Sequence, residues 1–233
     1  MSTINLLYKR EYAVTDKIKV MIPKVRDVLE NEDLYYGQIS TLTSMPIDYM
    51  VELDDIGIDF TEINDYQLFL LFFKGLQRDD TSLIFGDLDF KKFDFDKDEM
   101  ILYNPIDDIR IDRVVYAQIS ATLCKMHHIE KNRKRPVNTE VKEYLLERAR
   151  TKRKRRKNRS DMSQLESLII SLVNTPEFKY DYDGVLDLSI YQFNESVRQI
   201  VKKVDYNNRM YGIYAGTVDP KAISRDELTW LKQ

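Results

Sequence analysis

Apolar residues recur at helical intervals in the last third of this chain, and this periodicity is the strongest constraint on its fold. Ser163 and Glu166 have the spacing of a capping box before the first pattern, and Pro176 ends it. Ser189 and Gln192 repeat that spacing before the second pattern. The first pattern consists of Leu165, Leu168, Ile169, Leu172 and Val173, and the second of Ile190, Phe193, Val197, Ile200, Val201 and Val204. The sequence therefore predicts two amphipathic helices here.

Scarce glycine and proline extend the helical prediction to the rest of the chain. Seven glycines and six prolines in 233 residues favour helices over a turn-rich β-sandwich. A half-buried strand is predicted over residues 18–22, and the segment from Tyr66 to Phe73 is apolar on nearly every side, which indicates a buried helix. The other helix starts are predicted near Pro23, Pro46, Asn64 or Asp65, Asp112, Asn138 and Ser224.

Short segments with a period of two interrupt the helical pattern between Thr81 and Ile111. They are residues 83–85, 90–95 and 100–103, and they predict a small antiparallel hairpin or meander. The fold class is therefore predicted as mainly α (α+β), a helical protein with a small antiparallel β element in its N-terminal lobe. We predict an N-terminal α+β lobe over residues 1–130, a polar and basic helical linker over 131–160, and a C-terminal helical lobe over 161–233.

Composition indicates a folded protein of the cytoplasm. Hydrophobic residues make up 43% and charged residues 32% of the chain, and its formal charge is −3. The single Cys124 excludes an internal disulfide, and no apolar signal segment begins the sequence. The longest apolar run, residues 68–73, is far shorter than the roughly 20 residues that span a bilayer. We expect no membrane partner.

No motif for catalysis is present in the sequence. Glycine-rich phosphate loops, nucleophile elbows and HExxH zinc helices are all absent. Cys124, His127 and His128 lie close together, but no further Cys or His exists to complete a zinc site. We therefore predict no catalytic residue, no metal and no cofactor. The remaining enzyme hypothesis would require ionisable groups to converge around Asp107, Asp108 and His127.

The acidic segment from Asp87 to Glu99 superficially resembles a calcium-binding loop. With Asp94 as the first ligand, however, the sixth position is Glu99 where glycine is needed, and the twelfth is Pro105 where glutamate is needed. Alternation with phenylalanines accounts for the same acids as the solvent-facing side of strands.

A dense run of positive charge extends from Arg148 to Arg159. Such a run attracts phosphates through counterion release, but it is also typical of an exposed helix that joins two lobes. Both interpretations stay open, and nucleic acid is the less favoured partner. The candidate nucleic-acid-binding residues are Arg150, Lys152, Arg153, Lys154, Arg155 and Arg156.

Residues 167–174, 178–182, 189–193 and 212–218 resemble proteins encoded in the structural gene clusters of bacteriophages and prophages of low-GC Gram-positive bacteria. Those clusters include small helical tail assembly chaperones, which hold the tape measure protein or other tail components before polymerisation. The resemblance implies such a role and such partners, in the cytoplasm of the bacterial host. A structural virion protein of the tail, connector or baseplate would come from the same gene neighbourhood.

These observations favour a non-enzymatic tail assembly or morphogenesis protein that binds an apolar segment of a partner in a groove between amphipathic helices. Aromatic residues near the C-terminus are the best candidates for an exposed surface. The predicted partner-binding residues are Phe193, Val197, Ile200 and Val204 in the apolar stripe, with Tyr206, Tyr211, Tyr214 and Trp230.

Overall fold

The computed structural model describes residues 5–156, 163–219, 221, 223–224 and 228–231. It confirms the predicted fold class, because helices dominate and the strands form two small antiparallel sheets. The strands are β1 Glu11–Ala13, β2 Lys19–Met21, β3 Asp94–Asp96, β4 Ile101–Asn104 and β5 Ile109–Ile111. The α-helices are α1 Val25–Glu30, α2 Glu32–Thr43, α3 Met50–Asp55, α4 Asp65–Leu76, α5 Ser82–Phe85, α6 Arg113–His127, α7 Thr139–Arg156, α8 Gln164–Val173, α9 Tyr182–Asp187 and α10 Ile190–Tyr214.

The sheets match the sequence pattern in part. β1 and β2 form a hairpin, and β3, β4 and β5 form a meander in which Leu102 lies opposite both Phe95 and Ile111. The strand prediction for residues 83–85 is wrong, because they belong to helix α5. The Asp80 carboxylate accepts a hydrogen bond from the Ser82 amide at 2.9 Å, which starts a helical turn, and the adjacent residues Ile84 and Phe85 are both buried. Residues 90–92 likewise form a short 3-10 helix.

Four predicted helix starts are confirmed by their capping hydrogen bonds. The side chains of Asn64 and Asp112 accept hydrogen bonds from amides of the first turns of α4 and α6. Ser163 caps α8, and Ser189 with Gln192 forms a complete capping box at α10. Because side-chain oxygens satisfy amides that would otherwise lack a partner, each cap fixes where its helix begins.

One hydrophobic core unites the predicted N-terminal and C-terminal lobes. Buried residues from α8, α9 and α10 belong to the same cluster as residues from β2, α1, α2, α4 and α6. Backbone hydrogen bonds also join the two predicted lobes. The Ile190 amide donates to the Pro23 carbonyl at 2.8 Å, and the Val25 amide donates to the Leu188 carbonyl at 2.9 Å. The packing is therefore continuous across residue 131, and the division into lobes stays a prediction.

Helix α7 is attached to the body through a smaller cluster. Leu146 packs there with Leu53, Phe60 and Leu68. The Asn138 side chain accepts a hydrogen bond from the Val141 amide at 2.9 Å, as expected of a cap. Residues 157–159 of the basic run, and most of the helix predicted after Ser224, lie outside the described residues.

Glu32 links the first turns of α2 and α8. Its carboxylate accepts hydrogen bonds from the Ser163 hydroxyl and, at 2.9 Å, from the Leu165 amide. Hydrogen bonds to a charged group contribute about 1.5–3 kcal/mol, so we expect Glu32→Ala to lower the free energy of unfolding by about 2 kcal/mol in urea denaturation. Asp33→Ala removes the same charge from the same turn and is the control. Equal losses in the two variants would contradict the link.

Candidate functional site

A single apolar stripe runs along α10 from the core of the protein to its surface. The helix has 25 residues and is therefore about 37 Å long. Ile190 and Phe193 are fully buried in the core, and Val197 and Ile200 pack partly against it. Tyr211 follows Phe193 by 18 residues, which is five helical turns, so it lies on the same side of the helix. Its exposed fraction is 73%.

The second half of α10 leaves part of this stripe uncovered. Residues 201–214 include no buried residue. Four apolar or aromatic side chains are exposed on this side, and we call them the distal face of α10: Val201 at 53%, Val204 at 39%, Tyr211 at 73% and Tyr214 at 80%. Grouped exposed apolar side chains on a folded protein mark interaction sites.

The C-terminal segment contacts the same half-helix at two places. The Gly212 carbonyl accepts hydrogen bonds from the amides of Thr217 and Val218. A Cβ at Gly212 would lie 2.7 Å from a methyl carbon of Val218, so the close approach requires glycine. Lys203 Nζ lies 6.0 Å from the centre of the Trp230 ring. Gly212 and Lys203 are nine residues apart, so these contacts lie on opposite flanks of α10, and the four side chains of the distal face between them stay 39–80% exposed.

The eight predicted partner-binding residues therefore divide into three groups. Phe193 belongs to the core and has no exposed surface. Val197, Ile200, Tyr206 and Trp230 are partly buried. Val204, Tyr211 and Tyr214 are on the distal face. Sequence reasoning placed Val201 in the amphipathic pattern but omitted it from the binding residues.

A groove lies beside the base of α10. Its cavity of about 930 Å³ is lined by residues of α1, α2, α8 and α10 and by His127 at the end of α6. Apolar walls come from Tyr36, Ile39, Leu165 and Leu168, among others, and Phe193 lies at its base. The lining acids are Glu30, Glu32 and Asp33.

His127 is held in this groove in its neutral form. Its Nε2 lies 3.0 Å from the Tyr35 hydroxyl, and its Nδ1 lies 3.4 Å from the Asn194 side-chain nitrogen. Burial, together with the smaller effect of the neighbouring His128, lowers the pKa of His127 to about 4. His127 is therefore uncharged at neutral pH.

The residues of the enzyme hypothesis have separate partners. The Asp107 carboxylate accepts a hydrogen bond from the Asn104 amide group at 2.9 Å, and Lys17 Nζ donates to the backbone carbonyls of Asp107 and Asp108. His127 contacts Tyr35 and Asn194 instead, so the structure does not bring the three groups into one site. Within the described ranges, no group of three or more His, Cys, Asp or Glu side chains is placed to hold a metal ion. No helix there is long and apolar enough to cross a membrane.

The six predicted nucleic-acid-binding residues of α7 also divide. Arg150 forms ion pairs with Asp54 at 2.7 Å and Asp55 at 2.8 Å, and Arg153 pairs with Glu52 and Asp55 at 3.4 and 3.6 Å. By contrast, Lys152, Lys154 and Arg155 are exposed and have no ion pair with any described residue. Arg156 ends the helix, and its side chain lies outside the described residues.

Together, the fold and the open distal face define a mainly α-helical α+β protein with an uncovered apolar helix surface. Residues 154–233 match the model of the YomV second domain, a phage- and prophage-associated family. The match covers about a third of the chain and includes all of α8, α9 and α10. It supports a phage or prophage origin in a Gram-positive host. Comparisons with curated proteins and with solved structures found no match.

Proposed function

We propose that this chain is a non-enzymatic phage tail assembly chaperone or tail morphogenesis protein that binds other tail components. The distal face of α10 is the observation that carries this proposal. Its side chains continue the stripe that forms the core at Phe193, yet they are 39–80% exposed. The match of residues 154–233 to a phage-associated family contains this face.

The partner that fits the distal face is an amphipathic helical segment of a tail component such as the tape measure protein. Val201 and Tyr214 are separated by 13 residues, which corresponds to about 20 Å of helix. A facing helix of about four turns would cover that length and bury its own apolar stripe. Tyr211 and Tyr214 would act as anchors, because aromatic residues carry much of the binding energy at interfaces.

Substitution of the two distal tyrosines tests the proposal. We expect the double variant Tyr211→Ser and Tyr214→Ser to bind the tape measure protein at least tenfold more weakly, because aromatic anchors contribute about 2 kcal/mol or more each. The dissociation constants are measured by isothermal titration after co-expression and purification of the two proteins.

The matched control replaces two exposed tyrosines elsewhere. Tyr180 and Tyr182 are 46% and 51% exposed, and Tyr180→Ser with Tyr182→Ser removes the same atoms away from α10. This control should bind like the wild type. A distal-face variant that retains wild-type affinity for every co-expressed tail component would contradict the proposed role.

The location of the protein after tail assembly distinguishes a chaperone from a structural virion protein. A chaperone should be present in the lysate of infected cells and absent from purified particles, as quantified by mass spectrometry. A fixed stoichiometry in particles would contradict the chaperone role and support a structural virion protein of the tail, connector or baseplate.

A further inference from the structure

Positive charge is concentrated in one segment of an otherwise acidic chain. Residues 131–156 contain 12 Lys or Arg and three Glu, whereas the whole chain has 36 Lys or Arg and 39 Asp or Glu. The remaining residues are therefore strongly negative. Such segregation creates a local positive field that attracts polyanions despite a net charge of −3.

The ion pairs of α7 divide this charge between two sides of the helix. On the inner side, Lys142 pairs with Asp59 at 2.5 Å, and Arg150 and Arg153 pair with acids on or beside α3. These cations attach the helix to the body. The paired carboxylates neutralise these cations, so the cations contribute little to the long-range attraction of a polyanion.

The cations on the outer side of α7 face solvent. Arg148, Lys152 and Arg155 follow one another at intervals of four and three residues, so they lie along one line about 10 Å long. All three are exposed, and so is Lys154, which lies on a different side of the helix. None of these four has an ion pair with a residue of the described chain.

We infer that the outer side of α7 binds the phosphate backbone of duplex DNA. The site consists of Arg148, Lys152 and Arg155. Protein–DNA interfaces are polar and strongly positive, as this surface is, whereas an interface with an acidic protein also needs an apolar centre. Tyr144 lies on the same side of α7 and is 61% exposed. Proteins that bind single strands stack successive bases on several aromatic side chains, and one tyrosine does not provide such a surface.

The loop before α7 extends the same charge. Arg133, Lys134 and Arg135 are exposed and line a cavity of about 390 Å³ together with Arg113. The one acid in that lining, Asp65, is already paired with Lys131 at 2.9 Å. This loop provides a second group of phosphate contacts at the other end of the helix. The DNA site is separate from the distal face of α10, so either proposal can fail alone.

Two double variants of α7 with the same change in charge test the inference. Binding to a fluorescent 20-base-pair duplex is measured by anisotropy at several salt concentrations. We expect the wild type to bind with a micromolar dissociation constant at low salt, in the range of non-specific binding. Lys152→Gln with Arg155→Gln should bind about tenfold more weakly, and the slope of log K against log salt should fall by about 1.8, or 0.9 for each lost contact.

The control is Arg150→Gln with Arg153→Gln, which removes two cations from the inner side of the same helix. Its affinity should stay within about threefold of the wild type, and thermal unfolding checks that both variants are folded. Equal weakening by both double variants would overturn the site, because only net charge would then matter. No binding at low salt, or tighter binding to an acidic peptide or to single-stranded DNA than to the duplex, would also overturn it.

Discussion

Phe193→Ala should lower the free energy of unfolding by about 3–5 kcal/mol, the usual cost of removing a buried phenylalanine side chain. Phe193 has no exposed surface and belongs to the core that joins α10 to the N-terminal elements. The substitution leaves a cavity at this junction in addition to the loss of buried apolar area. Guanidinium denaturation followed by circular dichroism measures the change, and the slope of the transition should stay constant.

Tyr211→Ala is the matched control for Phe193→Ala. Tyr211 occupies the same side of α10 five turns later, and 73% of it is exposed. An exposed substitution away from special contacts changes stability by no more than about 0.5 kcal/mol. A loss above about 2 kcal/mol at Tyr211 would show that the distal face is already covered in the isolated protein, and would contradict the open binding surface.

Local signals made the helix starts predictable. Asp112 is an example, since its carboxylate oxygen accepts hydrogen bonds from the amides of Val114 and Val115 at 2.9 and 2.8 Å. A cap depends on a side chain and on amides two or three residues away, so the sequence contains all of its parts. Apolar periodicity was equally reliable for the amphipathic helices α8 and α10.

The point at which the α10 stripe leaves the core was not predictable in this way. Phe193 and Tyr211 share one helical side in the sequence pattern, but the first is buried and the second exposed. The difference depends on where the other elements of the body end, which is set by tertiary packing and not by the residues of α10. Sequence reasoning therefore assigned a core residue and surface residues to one binding set.

The charges on α7 provide a second example. Arg150 and Lys152 are two residues apart in one basic run, and composition treats them alike. Arg150 differs from Lys152 because it pairs with Asp54 and Asp55, which come almost a hundred residues earlier in the chain. Only the packing of α3 against α7 brings those acids to Arg150 and leaves Lys152 exposed.

His127 should make the stability of this protein fall between pH 6.5 and pH 4. Burial lowers the pKa of the folded state to about 4, whereas an unfolded histidine titrates near 6.5. Above pH 6.5 the ring is neutral in both states, so its contribution is fully present. Below that pH the unfolded state binds the proton first, and stability is lost at up to about 1.4 kcal/mol per pH unit. We expect a loss of about 1–2 kcal/mol at pH 5.

His127→Gln isolates this contribution because an amide cannot titrate and can still bond to Tyr35 and Asn194. The pKa of His128 is also lowered, by burial and by Arg198, against the opposing Glu195, so some pH dependence remains in the variant. Urea denaturation at pH 7 and pH 5 should show a loss that is smaller in His127→Gln than in the wild type by about 1–2 kcal/mol. Carboxylates with depressed pKa values, such as Asp59 at about 2, lose their contribution at lower pH and affect both proteins alike. Equal losses in the two proteins would mean that the ring reaches water through the groove and titrates normally, which would contradict the neutral, enclosed His127.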